Sequence, residues 1–407
     1  MPVASSHPHP EVKEALAFLR SIDPWVLERQ MELTAIPAPP FQEKARGDRM
    51  GELFGETGLQ NILTDERGNV HGEFHPGEYQ SPEADSRGGL FILSAHLDTV
   101  FPDGTEVTPT REGDRIRAPG ISDDGRGLAA LLALARVLTA GHAPPPPYPV
   151  LFVATVGEEG PGNLRGVQHL FADRSGASRA RGFISLDGAG MGRIIHRAVG
   201  STRLRLVVKG SGGHSWTDFG RPNPIHALGR IVARVQTLVL PSDPRATLTI
   251  ARWGGGTSIN SIPQEAWVEV DLRSEDGSIL ERLEGDLLGI CDEVTRGGSD
   301  ATDPHHELRA HGLSLEVQEI GRRPSGSTDP SHPLVRAAME ATRFLGEEPL
   351  LISSSTDANV PMSLGIPAIT MGAGGTGGGV HTLDEWYLNQ KGPEGILRAL
   401  LTLLLYI

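Results

Sequence analysis

The sequence predicts an α/β fold, a mostly parallel-sheet domain interrupted by a smaller inserted α+β domain. Continuously apolar runs predict the first part. GLFILSA at 89–95, VLFVATV at 150–156 and GFISLDG at 182–188 alternate with helical stretches, as strands buried on both faces of a parallel sheet do. Beyond residue 200 the runs alternate apolar with polar residues, which suits strands with one solvated face. At 407 residues the chain is too long for one ordinary core, so two domains are expected.

The elements follow in order. Residues 11–34 place apolar side chains at helical spacing with few breakers. Strands are predicted at 68–75 and 89–95, then a helix from Gly127 to Thr139 (GLAALLALARVLT), ended by Gly141 and the run Pro144 to Pro147. Buried strands come next at 150–156 and 182–188. The alternating strands RLRLVVKG (203–210), AWVEVDLR (266–273) and LSLEVQEI (313–320) enclose two helices, NPIHALGRIVARVQTL (223–238) and ILERLEGDLLGICDEV (279–294). After residue 333, VRAAMEATRFLG is helical, IPAITMG is a buried strand, and a last apolar helix returns to the style of the first domain. The expected division is 1–199 and 322–407 for the α/β domain, with 200–321 inserted.

Formal net charge is −14, which argues against nucleic-acid or anionic-membrane binding. Cys291 is the only cysteine, so no intrachain disulfide and no multi-thiolate metal site can form. Any metal must be held by His, Asp and Glu. The start, MPVASSHPHPEV, lacks a basic stretch followed by an apolar one, and the apolar segments 128–138 and 396–407 are short and broken by arginine. A soluble, cytoplasmic protein is expected.

Five short motifs carry the chemistry: His96 and Asp98 in SAHLD, Asp123 in GISDDGRG, Glu158 and Glu159 in VATVGEEG, Asp187 in SLDGAG, and His381 in GGVHTLDEW. Each ends an apolar run or sits in a glycine-rich turn, where a strand can deliver a side chain to a cleft. Alone, each has a plainer reading, such as an Asx turn for Asp187 or a helix cap for an acid at 123–124. Of that last pair, Asp124 is assigned the cap. The carboxylate of Asp98, two residues after His96, is placed to accept the second ring N–H of His96. Adjacent carboxylates at 158–159 repel unless a cation or proton separates them, so one can ligate metal while the other moves a proton. The glycines from Gly374 to Gly379 lack a Walker lysine and are expected to let the backbone pass close to a substrate.

Together these residues resemble the M20 family of metallopeptidases, over nearly the whole chain, and the ending TDANVPMSLGIPAITMGAGG…VHTLDEW looks closest to its tripeptidase T-like branch. The resemblance implies a metallopeptidase domain carrying an inserted dimerisation (lid) domain, and two divalent ions per chain: zinc, with cobalt or manganese as alternatives. His96, Asp123 and Asp187 would hold one ion. Asp123 would bridge to a second, completed by Glu159 and His381. Glu158 would be the general base, Asp98 would orient His96, and a cis peptide would follow Asp123. In the insert, His214 of GSGGHSW would polarise the scissile carbonyl, from the partner subunit of a homodimer. Asn260 and Arg273 would lie near substrate. One departure is that Gly125 and Arg126 stand where many members soon place a lysine.

The implied activity is an exopeptidase acting on short peptides, a di- or tripeptide aminopeptidase, through a water held between the ions. A carboxypeptidase or N-acyl-amino-acid deacylase of the same family is the alternative, and a non-catalytic metal-stabilised binding protein is a third. No Gly-x-Ser-x-Gly elbow is present, and Cys291 lies in an amphipathic helical run that reads as core, so a serine or cysteine nucleophile is not favoured.

Overall fold

The computed structural model describes residues 10–76, 89–172, 176–296 and 312–407; the N-terminal MPVASSHPH lies outside the described residues. The chain forms two compact units, Met1–Ala198 with Gly326–Ile407, and Val199–Ser325.

The first unit is built on a nine-stranded sheet. Its order is Gln60–Thr64, Val70–Phe74, Val150–Thr155, Phe91–His96, Gly182–Leu186, Ala368–Met371, Arg193–Ala198 and Gly326–Ser327, with Leu350–Ser354 also paired to Arg193–Ala198. The sheet is mostly parallel at its centre: the four strands from Val150–Thr155 to Ala368–Met371 run the same way, and antiparallel strands flank them. Phe91–His96 is buried throughout because both faces are covered. Leu93, with Phe152 and Ile184, joins the large core under helices Pro10–Thr34, Gly125–Thr139, Pro333–Phe344 and Gly392–Tyr406. Ile92, Val153 and Phe183 point the other way, against Val167 and Phe171 of helix Arg165–Ala172 and Met362 of the short helix Asn359–Ser363. Period-two side-chain alternation thus feeds two separate cores from the same strands.

Helix Gly125–Thr139 is buried on nearly every side, packed among the sheet and helices Pro10–Thr34 and Gly392–Tyr406, which explains its uninterrupted apolar composition. Among the described residues no helix is long and apolar enough to cross a membrane.

The second unit carries an antiparallel four-stranded sheet, in the order Ala246–Gly255, Glu265–Ser274, Gly200–Lys209, Ser314–Arg323. Ala266, Val268, Val270 and Leu272 alternate inward. They join Leu228 and Ile231 of helix Pro224–Val235, and Leu283, Leu287 and Cys291 of helix Gly277–Arg296. The opposite face is polar: Arg205 pairs with Glu269 at 2.9 Å and stacks on Trp267. Asn223 caps the first helix by accepting the N–H of Ile225, ahead of Pro224 in the first turn.

Several elements lie outside the sequence expectations, among them helix Lys44–Glu56 and strands Gln60–Thr64, Arg193–Ala198, Ala246–Gly255 and Leu350–Ser354. The helix contains Gly47, Gly51 and Gly55, a composition that disfavours helix in isolation. Their four-residue spacing lays one smooth face on Val70 and Ile62, so packing overrides propensity.

Candidate metal centre

The parallel strands end at a common edge, where open α/β sheets place their ligands. His96 is the last residue of Phe91–His96, and Asp187 directly follows Gly182–Leu186. Glu158 and Glu159 lie just past Val150–Thr155, Asp123 just before helix Gly125–Thr139, and His381 in the loop between the short strands Thr376–Gly378 and Trp386–Leu388. His381 has a positive φ of 64°, so a left-handed turn aims its ring.

These side chains form three groups, each with ligand atoms within 4.8 Å of one another: His96, Asp123 and Asp187; Asp123, Glu159 and His381; and His96, Glu158 and Glu159. Asp123 belongs to the first two. Its Oδ1 is 3.0 Å from His96 Nε2, and its Oδ2 is 3.2 Å from His381 Nε2. Glu159 Oε1 is 2.9 Å from the same His381 nitrogen. Ligands of a tetrahedral ion with bonds of about 2.1 Å stand about 3.4 Å apart, so this donor set and spacing fit divalent ions.

The electrostatics agree. Burial, then repulsion from Asp123, pushes Asp187 up to about 7, and burial raises Asp124 well above the usual carboxylate range. Burial would lower His96, but the carboxylates of Asp123, Asp124 and Asp98 together raise it. Hydrogen bonds to Asp123 and Glu159 lift His381 to about 10. Crowded, desolvated acids of this kind are relieved by cations.

The ring of His96 is oriented differently from expectation. Nδ1 lies 2.9 Å from the main-chain oxygen of Asp98 and 3.8 Å from its carboxylate. The carboxylate is committed elsewhere: it accepts the N–H of Glu158 at 2.9 Å and of Glu159 at 2.8 Å. Either way Nδ1–H is engaged and Nε2 is left to face Asp123.

Asp98 is one of three fully buried carboxylates that tie the ligand loops together. Asp124 caps helix Gly125–Thr139 through Gly127 N and also accepts the N–H of His96 at 3.0 Å and of Gly188, beside Asp187, at 3.1 Å. The peptide Asp123–Asp124 is cis. Glu385, which the sequence reading passed over, accepts three main-chain N–H groups, from Gly120, Ser122 and Asp123. Its only sequence signal is an acid following His381 in HTLDE. Arg46, also buried, bonds the main-chain oxygens of Ile36 and Leu97 and faces Asp98 and Asp124 with its charge.

The glycines before His381 meet protein rather than open space. A side chain at Gly375 would strike the Tyr387 ring at 2.3 Å, and one at Gly377 would strike Ser122 Oγ at 2.4 Å. They let the His381 loop pack against Tyr387 and the Asp123 loop.

His214, Asn260 and Arg273 belong to the second unit. The short strand Gly213–His214 pairs with Ser261–Ile262, and Ser215 donates to the main-chain oxygen of Asn260, which brings His214 and Asn260 side by side. His214 Nδ1 accepts N–H groups of Trp216 and Thr217 at 3.2 and 3.4 Å, so the neutral ring carries its proton on Nε2. Arg273 pairs with Asp271 of its own strand at 2.9 Å and stands apart from that loop pair, on the sheet.

Comparison with known proteins matches this architecture. Over 93% of this chain and 96% of the other, the fold superposes on a tripeptidase from Staphylococcus aureus with a TM-score of 0.73 at 21% identity. It superposes on aminopeptidase PepT from Bacillus cereus with a TM-score of 0.71 at 21% identity, covering 93% and 98%. In sequence the chain is 26% identical over 299 residues to a putative succinyl-diaminopimelate desuccinylase, DapE, from Mycobacterium tuberculosis, covering 71% of this chain and 75% of that one. It is 26% identical over 147 residues to the N-acetylcysteine deacetylase of Bacillus subtilis, 35% of each. The profile of peptidase family M20/M25/M40 matches residues 92–404, a span that holds every residue of the three groups. The chain belongs to that family, and is a hydrolase of its metallopeptidase and amidohydrolase kind.

Proposed function

We propose that the chain is a dinuclear metal-dependent exopeptidase that hydrolyses amide bonds of short peptides, as a di- or tripeptide aminopeptidase, with Glu158 as general base. The observation that carries this reading is the division of Asp123, whose two oxygens face His96 and His381 separately. One carboxylate shared between two imidazoles suits two ions, and mixed His and carboxylate donors suit zinc, with cobalt or manganese as alternatives. Bound there, such ions would lower the pKa of a water and polarise the substrate carbonyl.

Glu158 supplies the proton transfer. It is buried, and it lies within ligand distance of His96 and Glu159 without belonging to either group that shares Asp123. In this reading it removes the proton of the attacking water and returns one to the leaving amine. His214, with its proton on Nε2 and supplied by the second copy of a homodimer, would serve as a donor to the developing oxyanion. Asn260 and Arg273 would lie near substrate, and the second unit would be the surface through which two copies pair.

The fold likeness to PepT and to the tripeptidase supports the aminopeptidase form. Likeness in sequence to the desuccinylase and the deacetylase supports a second form, hydrolysis of N-acyl amino acids. Matched peptides blocked at the amino or the carboxyl end, assayed with N-acetyl and N-succinyl amino acids before and after chelation, test both. Chelator-sensitive cleavage that requires a free amine supports the first. Cleavage of acylated substrates alone replaces it with the second.

A further inference from the structure

Glu385 has no chemical step in the reading above, yet it is fully buried beside the centre. We propose that Glu385 is a positioning residue that holds Asp123 and His381 in register and so sets the affinity of the second ion site; this rests on the two-ion reading.

Both of its carboxylate oxygens are directed at one loop. Oε1 takes the N–H of Ser122 at 2.8 Å and of Asp123 at 2.9 Å, and Oε2 takes the N–H of Gly120 at 2.9 Å. Its main-chain oxygen accepts the N–H of Ala118 as well. On the other side, Glu385 N bonds Thr382 O and Thr382 N bonds Gly379 O, so two linked turns carry the connection back across His381. The strand that follows, Trp386–Leu388, pairs with Arg115–Arg117, which extends the junction of the two segments into a ladder. Asp123 and His381 are far apart in sequence, and Glu385 bonds directly to the first while the turn linked to its own encloses the second. The first ion group is tied separately, by Asp124 to His96 N and Gly188 N. Loss of the Glu385 tie is therefore expected to fall on the Asp123–Glu159–His381 group more than on the His96–Asp123–Asp187 group.

Glu385→Gln keeps the shape but replaces one accepting oxygen with an NH2, which then confronts a main-chain N–H. Losing such an outer partner weakens metal binding by about ten- to a hundred-fold. The test is titration of Co2+ into metal-free wild type, Glu385→Gln and Glu385→Ala, following stoichiometry and the visible absorption of each bound ion. The expected result is two sites in wild type, with one of the two transitions displaced ten- to a hundred-fold in Glu385→Gln and the other shifted by a few-fold. If Glu385→Ala does not fold, the Gln variant decides. Two sites of wild-type affinity in Glu385→Gln, or equal weakening of both, overturn the proposal while leaving the two-ion reading intact. Fewer than two sites in wild type overturn the reading itself.

Discussion

The carboxylate of Asp98 accepts the main-chain N–H of Glu159 at 2.8 Å, and so fixes the candidate ligand just past the neighbouring strand rather than the histidine two residues before it. The same carboxylate holds Glu158 N at 2.9 Å, so the proposed base and the acid beside it hang from one anchored turn. Burial raises Asp98 to about 6, and the two N–H bonds and the charge of His96 work against that rise.

This relationship separates two roles for Asp98. The ring N–H of His96 goes to the Asp98 main-chain oxygen, which Asp98→Asn leaves in place. The substitution is expected to lower turnover by about ten- to a hundred-fold and to weaken the ion held by Glu159. Two-site metal titration checks it; selective loss of the ion held by His96 and Asp187 would show that Asp98 acts through the imidazole instead.

Glu158→Gln is expected to retain both ions while turnover falls on the order of a hundred-fold or more, the range for loss of a general base. Elemental analysis beside kcat on the same preparation makes the comparison. Wild-type turnover in this variant would remove Glu158 from the mechanism.

Removing the ions leaves buried acids facing one another. Ions at a hundred times their dissociation constant contribute about 2.7 kcal/mol per site to the folded state, and each kcal/mol is worth about 2–4 °C in a domain of roughly this size. Chelation is therefore expected to lower Tm by several degrees or more, and zinc to restore it. An unchanged Tm would mean that the centre folds and holds together without ions.

Cys291 is packed among Leu283, Leu287 and Ile231, and burial pushes its thiol from 9.0 up to about 12. At pH 8–9 the folded protein is expected to be inert to thiol reagents that react fully after denaturation, because the thiolate is the nucleophile. Full, rapid labelling of the native protein would place Cys291 at an accessible surface.

Three of the candidate ligands are legible in the sequence because each stands past the end of an apolar run, and a strand announces its own end. His96, Glu159 and Asp187 follow GLFILSA, VLFVATV and GFISL, and all three strands prove central and parallel. The residues that tie the centre together left weaker traces. Glu385 acts on main-chain N–H groups more than 260 positions away, and a main-chain donor has no sequence signature. Asp98 looked like a partner for His96 because i and i+2 share a face of a strand, but its carboxylate finds two aligned N–H groups across the sheet edge. The glycine run before His381 suggested room for substrate; Tyr387 and Ser122 fill that space instead. Helix Lys44–Glu56 was hidden by its glycines, whose meaning is packing against Val70.

The most direct test of the account is anomalous scattering at the zinc edge from crystals grown with zinc. The account expects two peaks about 3.5–4 Å apart, one on each side of Asp123, with His96 and Asp187 at one and Glu159 and His381 at the other. A single peak, or two that do not share Asp123, would contradict it.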